Sequence, residues 1–138
     1  MRLTLVPKHS LSSDQLRHLS ERLSAPEHRN DNGPGRVWHT YQSFLYAFVH
    51  KELNLPIAIS EASGRPVAIP GWWIDHGFRD QGYGNELVDL LAAYLAADGV
   101  TGIGLIPIDT HNGQYNEQSS KLARRFRAKF VEELANRR

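Results

Sequence analysis

The sequence predicts a single α/β domain over residues 1–138, and three stretches carry that reading. Trp72-Trp73-Ile74 is a short apolar run that ends at Asp75 and His76, and a turn containing Arg79-Asp80-Gln81-Gly82-Tyr83-Gly84 follows it. Leu87, Leu90, Leu91, Tyr94 and Leu95 then recur at spacings of three and four, the apolar stripe of a helix. A second apolar run, Val100–Ile108, is bounded by Gly99 and Asp109 and reads as a buried parallel strand. Strand, glycine turn and helix form an anion-binding order. The first helical turn has amides without helical partners and a positive dipole end, and glycines let a pyrophosphate approach the backbone.

Composition narrows the class. At 41% hydrophobic and 22% charged residues the chain is an ordinary globular sequence, long enough to bury one core. With no cysteine, disulfides, thiolate metal sites and cysteine acyl-intermediates are excluded. No signal-like or long apolar stretch is present, so the reading is a cytoplasmic protein without membrane segments. The net charge of +1 selects no partner, although basic residues crowd the C-terminus.

In chain order, Arg2–Val6 alternates as a strand that Pro7 closes. Ser12 and Gln15 have the spacing of a capping box, Leu16, Leu19 and Leu23 share a helical face, and Pro26 stops the helix. Glu27 to Gly35 is polar and rich in turn residues, a surface loop. Trp38–Leu53 is ambiguous. Trp38, Tyr41, Leu45 and Phe48 fit a helix with Asn54 as its cap, whereas Phe44–Val49 suits a buried strand; the cap favours the helix. Ile57–Ile59 and Val67–Ile69 flank Ser63-Gly64-Arg65 as a hairpin, whose second arm runs through a bulge at Pro70-Gly71 into Trp72–Asp75. Asp109–Gly113 is a loop. A last helix follows, with Leu122, Phe126, Phe130 and Leu134 on one side and Lys121, Arg124, Arg125, Arg127 and Lys129 elsewhere, most often a solvated face and otherwise a contact for nucleic acid or a CoA 3′-phosphate.

The glycine turn fits neither GxGxxG, which needs a glycine at Leu87, nor the P-loop, which needs Gly-Lys-Ser/Thr. Arg79-x-x-Gly82-x-Gly84 after a strand resembles the acetyl-CoA signature of the Gcn5-related N-acetyltransferases, over Trp72 to about Ile108. The resemblance implies a mixed central sheet flanked by helices, whose strand before the glycine turn splays from its neighbour to admit the acyl-pantetheine. It implies acetyl-CoA as cosubstrate and direct transfer of the acetyl group to an amine of an unspecified small molecule, protein or RNA. The implied binding set is Trp73, Ile74, Arg79, Asp80, Gln81, Gly82, Tyr83, Gly84 and Asn85, with Asn116 and Ser119 from the Asn-x-x-Ala/Ser pattern of the last helix. The amide of Trp73 or Ile74 would polarise the thioester carbonyl.

The proton-transfer groups stay open. The family's helical tyrosine falls at Ala123, which leaves Tyr115 as the substitute acid, and Glu61, Asp75, His76 or His111 as the base. His39, His50, His76 and His111 have no metal-ligand spacing, so no metal is expected. The tryptophan pair reads as half core, with one of Trp72 and Trp73 facing inward and the other covering something else; a tryptophan exposed at a cleft, suited to an aromatic or nucleobase substrate, is the lesser alternative. The family's sheet normally closes with two strands after the last helix. None is legible before Arg138, which leads to an expected two-fold dimer and an acceptor wall from a second subunit. The competing reading is a non-catalytic CoA-binding module, or a protein- or nucleic-acid-interaction module of the same fold.

Overall fold

The computed structural model describes residues 1–28, 41–104, 110–111, 114–115 and 117–137, and the backbone alone at 110–111, 114–115 and 117–119. The fold is mixed α/β. Four antiparallel strands, β1 (Leu3–Pro7), β2 (Phe44–His50), β3 (Leu55–Glu61) and β4 (Trp72–Ile74), make an open sheet in the order β1-β2-β3-β4. Helix α1 (Ser13–Leu23) covers one face. Helices α2 (Tyr83–Ala97) and α3 (Glu117–Asn136) pack on each other and on the opposite face. No helix among the described residues is long and apolar enough to cross a membrane.

Local signals account for the helices. The Ser12 hydroxyl accepts from the Gln15 amide at 3.1 Å, and the Gln15 side chain returns a bond to the Ser12 amide at 2.9 Å. This capping box satisfies two of the donors that a helix start leaves open. Leu19 and Leu23 then bury against the sheet. The stripe of α3 is as the spacing predicts, with Leu122, Phe126 and Phe130 buried. Its basic residues largely serve the fold: Arg125 pairs with Asp89 of α2, and Arg127 donates to the Gly104 carbonyl at 3.0 Å.

The segment favoured as a helix is a strand. Residues 41–43 are helical, but Phe44–His50 is β2, paired with β1 on one side and β3 on the other. Leu45, placed on the buried stripe by the helical reading, is 45% exposed. Asn54 does adopt a positive φ of 56°, but in the turn joining β2 to β3, where its amide donates to the His50 carbonyl at 2.7 Å. Trp38 lies outside the described residues.

The tryptophan pair also differs. Trp72 and Trp73 are 8% and 3% exposed, so neither covers a cleft. Because the sheet is sandwiched, alternate residues both find cores. Trp72 joins Leu3, Phe48, Leu87 and Phe126, whereas Trp73 joins Ala47, Ile59 and Leu19.

The expected bulge is present one step early. Ser63 bridges Ala68, and the Glu61 amide bonds to the Gly71 carbonyl, so one residue on the first arm faces Ile69 and Pro70 on the second. The expected parallel strand at Val100–Ile108 is a single bridge, Val67 to Ile103, over its described part. Residues 105–108 lie outside the described residues. The loop expected at Asp109–Gly113 contributes to a small antiparallel pair, β5 (Thr110–His111) with β6 (Gln114–Tyr115).

Candidate functional site

The site is built at the outer edge of β4. The Asp75 amide bonds to the Ile57 carbonyl at 2.8 Å, and the Glu61 amide to the Gly71 carbonyl at 2.9 Å. In an antiparallel ladder hydrogen-bonded and non-hydrogen-bonded pairs alternate. The register therefore makes Ile59–Trp73 a bonded pair, and Ala58–Ile74 and Ser60–Trp72 non-bonded ones. The amide of Trp73 is committed to β3. Those of Trp72 and Ile74 point away from the sheet. Among the described residues nothing bonds to these two amides, since the neighbouring segment engages only Val67, through the Gly104 amide at 2.8 Å and the Gly102 carbonyl at 3.3 Å.

The turn that follows brings α2 to the same edge. Asp80 and Gly82 have φ of 62° and 85°, the left-handed conformation that turns the chain sharply into the helix. Gly82 is the N-cap of α2 and supplies no capping side chain, so the helix start relies on backbone and neighbours. Arg79 folds back, its Nε donating to the Ile74 carbonyl at 2.8 Å. Arg2 reaches across from β1: its Nη2 donates to the Gln81 carbonyl at 2.9 Å, its Nε to Glu86 at 2.6 Å, and its guanidinium lies 3.8 Å from the Tyr83 ring centroid. Burial pushes the Glu86 carboxyl up, but bonds from the Arg2 side chain and from the Arg2 and Leu3 amides outweigh it and hold the pKa below its ordinary value. Under the turn, the His50 Nδ1 accepts from the Leu53 amide, so His50 Nε2 carries the proton and donates to the Tyr83 hydroxyl at 3.0 Å.

The second glycine has a packing role. A Cβ at Gly84 would come within 3.1 and 3.2 Å of the Leu122 methyls and 3.6 Å of Ile74 Cδ1. The space beside Gly84 is thus where α2 meets α3, whereas a Cβ at Gly82 would lie 3.4 Å from Arg2 Nη2. Gly84→Val is expected to cost about 1–3 kcal/mol through overpacking. Denaturant unfolding reads it as a lower midpoint; an unchanged midpoint would mean that the helices do not meet there.

At the end of β4 a buried polar network begins. Asp75 accepts from Arg22 Nε at 2.9 Å and from Arg22 Nη2 at 3.0 Å, and Arg22 also pairs with Glu27. His28 is fully buried, with Nε2 at 3.1 Å from Asp75 and Nδ1 at 3.3 Å from the Trp73 indole nitrogen. The Asp75 carboxylate only accepts and the Trp73 indole N–H only donates, which suits a proton on Nε2, while the His76 amide also points at Nε2 at 3.2 Å. Burial raises the Asp75 pKa, but hydrogen bonds from Arg22 and then His28 prevail and lower it overall. Glu27, His28 and Asp75 place ligand-type atoms within 4.8 Å of one another, and the Arg22 guanidinium supplies the cation that bridges the carboxylates.

The structure thus brings Trp73, Ile74, Asp75, His76, Arg79, Asp80, Gln81, Gly82, Tyr83 and Gly84 to one edge. Asn85 follows in the first turn of α2. Asp75 turns inward, Glu61 is buried on β3, and His76 is exposed in the 3-10 turn after β4. Tyr115, His111 and Ser119 are described by backbone alone, and Asn116 and His39 lie outside the described residues. Arg2, Arg22, His28 and Glu86 were not singled out by sequence. Their partners across the sheet are 45 to 84 residues away, so no local spacing reveals those contacts. No family model matches the chain, and no curated protein matches it.

Proposed function

We propose that this protein binds acetyl-CoA and transfers its acetyl group to an amine. The observation that carries the reading is the outward Ile74 amide, to which nothing bonds among the described residues, next to an α2 start whose N-cap, Gly82, has no side chain. This is the arrangement implied by the resemblance of Arg79-x-x-Gly82-x-Gly84 to the Gcn5-related acetyltransferases. The pyrophosphate would meet the first amides of α2 and the helix dipole. The acyl chain would lie along the edge of β4, where Ile74 N–H donates to the thioester carbonyl; Trp73 N–H cannot, being committed to Ile59. The amine nitrogen bonds to the carbonyl carbon, the C–S bond breaks, and the CoA thiolate leaves with a proton from solvent or an acid. The amine's own proton passes to His76, the exposed base candidate beside Ile74, rather than to the salt-bridged Asp75.

Ligand that binds only the folded state stabilises by RT ln(1 + [L]/Kd), about 2.7 kcal/mol at a hundredfold excess over Kd. Millimolar acetyl-CoA is therefore expected to raise the melting temperature by several degrees, and silent melting and calorimetry would end the reading. Acetyl-CoA consumption screened over amines, peptides and tRNA then identifies the acceptor. The inward-turned Asp75 and buried Glu61 favour a second reading, a CoA-binding module without turnover. Binding without consumption of any acceptor would establish it.

A further inference from the structure

A pocket lies at the end of α2 away from the glycine turn. An open cavity of about 290 Å³ sits between the start of β2, the Ala62–Val67 turn and the C-terminus of α2. The fifteen residues of α2 separate its ends by roughly 22 Å, so this cavity is distinct from the glycine turn. Its inner wall is apolar, formed by Ala62, Val67, Leu95 and Val100, all buried. Its rim carries two opposite charges, Arg65 and Asp98. They line one cavity without pairing with each other, and among the described residues neither side chain has another partner. Asp98 adds its charge to the negative end of the α2 dipole, and no basic residue stands in the last turn to offset it. The rim is therefore bipolar. A lone anion would meet Asp98 as well as Arg65, and a lone cation would meet Arg65 as well as Asp98.

We propose that this cavity binds a small zwitterion with an apolar body, of the chemistry of a free aliphatic α-amino acid. Its carboxylate lies on the Arg65 guanidinium, its ammonium on Asp98 at the negative end of the α2 dipole, and its side chain on the apolar wall. A guanidinium meets a carboxylate through two parallel N–H bonds, which orients the ligand. The Tyr46 hydroxyl, on the same wall, is a neutral donor and acceptor that can bond either pole; burial, then Tyr94 and Asp98, raises its pKa further. Because both charges are exposed, affinity on the order of a millimolar is expected.

L-leucine titrated into the nitrogen-labelled protein tests this, with isocaproate and isoamylamine as probes keeping one charge each. Leucine is expected to shift saturably the amides of Ala62–Val67 and Leu95–Val100, with both single-charge probes at least about tenfold weaker. Arg65→Gln and Asp98→Asn are each expected to weaken leucine about tenfold. Both positions are exposed, and an unchanged spectrum elsewhere verifies the fold of each variant. Absence of local shifts, equal binding of either single-charge probe, or parent-like affinity in both variants would overturn the proposal. The acetyl-CoA reading stands or falls separately, because its ligand and amides differ.

Discussion

Replacing Asp75 with alanine is expected to destabilise the protein by about 3 kcal/mol, the lower end of the range for breaking a buried ion pair. Asp75 is buried and holds both Arg22 and His28. Removing it leaves the fully buried His28 without its carboxylate partner, whereas Arg22, one third exposed, can partly rehydrate. Asp75→Asn keeps an acceptor and removes the charge, so a smaller loss, about 1–3 kcal/mol, is expected. Urea unfolding measures both; an alanine variant within about 0.5 kcal/mol of the parent would show that the network contributes nothing to stability. The pH dependence has a definite sign. The folded-state pKa of Asp75 lies below its unfolded value, so its contribution is present above the ordinary carboxylate range and is lost as pH falls through the folded pKa. The alanine variant is therefore expected to lose less stability than the parent on acidification. Glu86, shifted in the same direction, keeps part of that acid dependence in both.

What could be read from the sequence was local, and what could not was long-range. The Ser12–Gln15 box and the Leu122–Phe130 stripe are complete within one helix, and each is found where its spacing puts it. Gly82 at a positive φ follows from its place between strand and helix. Phe44–His50 was misread because a central strand buried on both faces shows no clean alternation, and its aromatics also satisfy a helical period. The pairing of Arg22, His28 and Asp75 spans 47 to 53 residues, and that of Arg2 with Glu86 spans 84. Such contacts exist only once the sheet has set its register. Gly84 shows the same limit: its motif spacing suggested room for a ligand, but Leu122, far along the chain, occupies that space.

Ladder parity allows a sharper test of chemistry than any side chain does. Ile74→Pro deletes one N–H that faces outward from β4 and is absent from the β3 pairing, so no hydrogen bond among the described residues is lost. Proline is tolerated at such edge positions. If the Ile74 amide stabilises the developing oxyanion of the thioester, its removal is expected to lower kcat for acetyl transfer by about 10²–10³-fold, the range for losing one preorganised donor. Acetyl-CoA binding should change far less, because the α2 start that would hold the pyrophosphate is untouched. Ile74→Val keeps the amide and trims one methylene beside Leu122 and Gly84, so it serves as the packing control with near-parent turnover. Trp73→Pro, in contrast, removes the bond to Ile59 and is expected to destabilise the sheet itself. Turnover is followed as thiol release with the acceptor found by screening, and circular dichroism verifies the fold of each variant. A folded Ile74→Pro protein that turns over as fast as Ile74→Val would remove this amide from the mechanism.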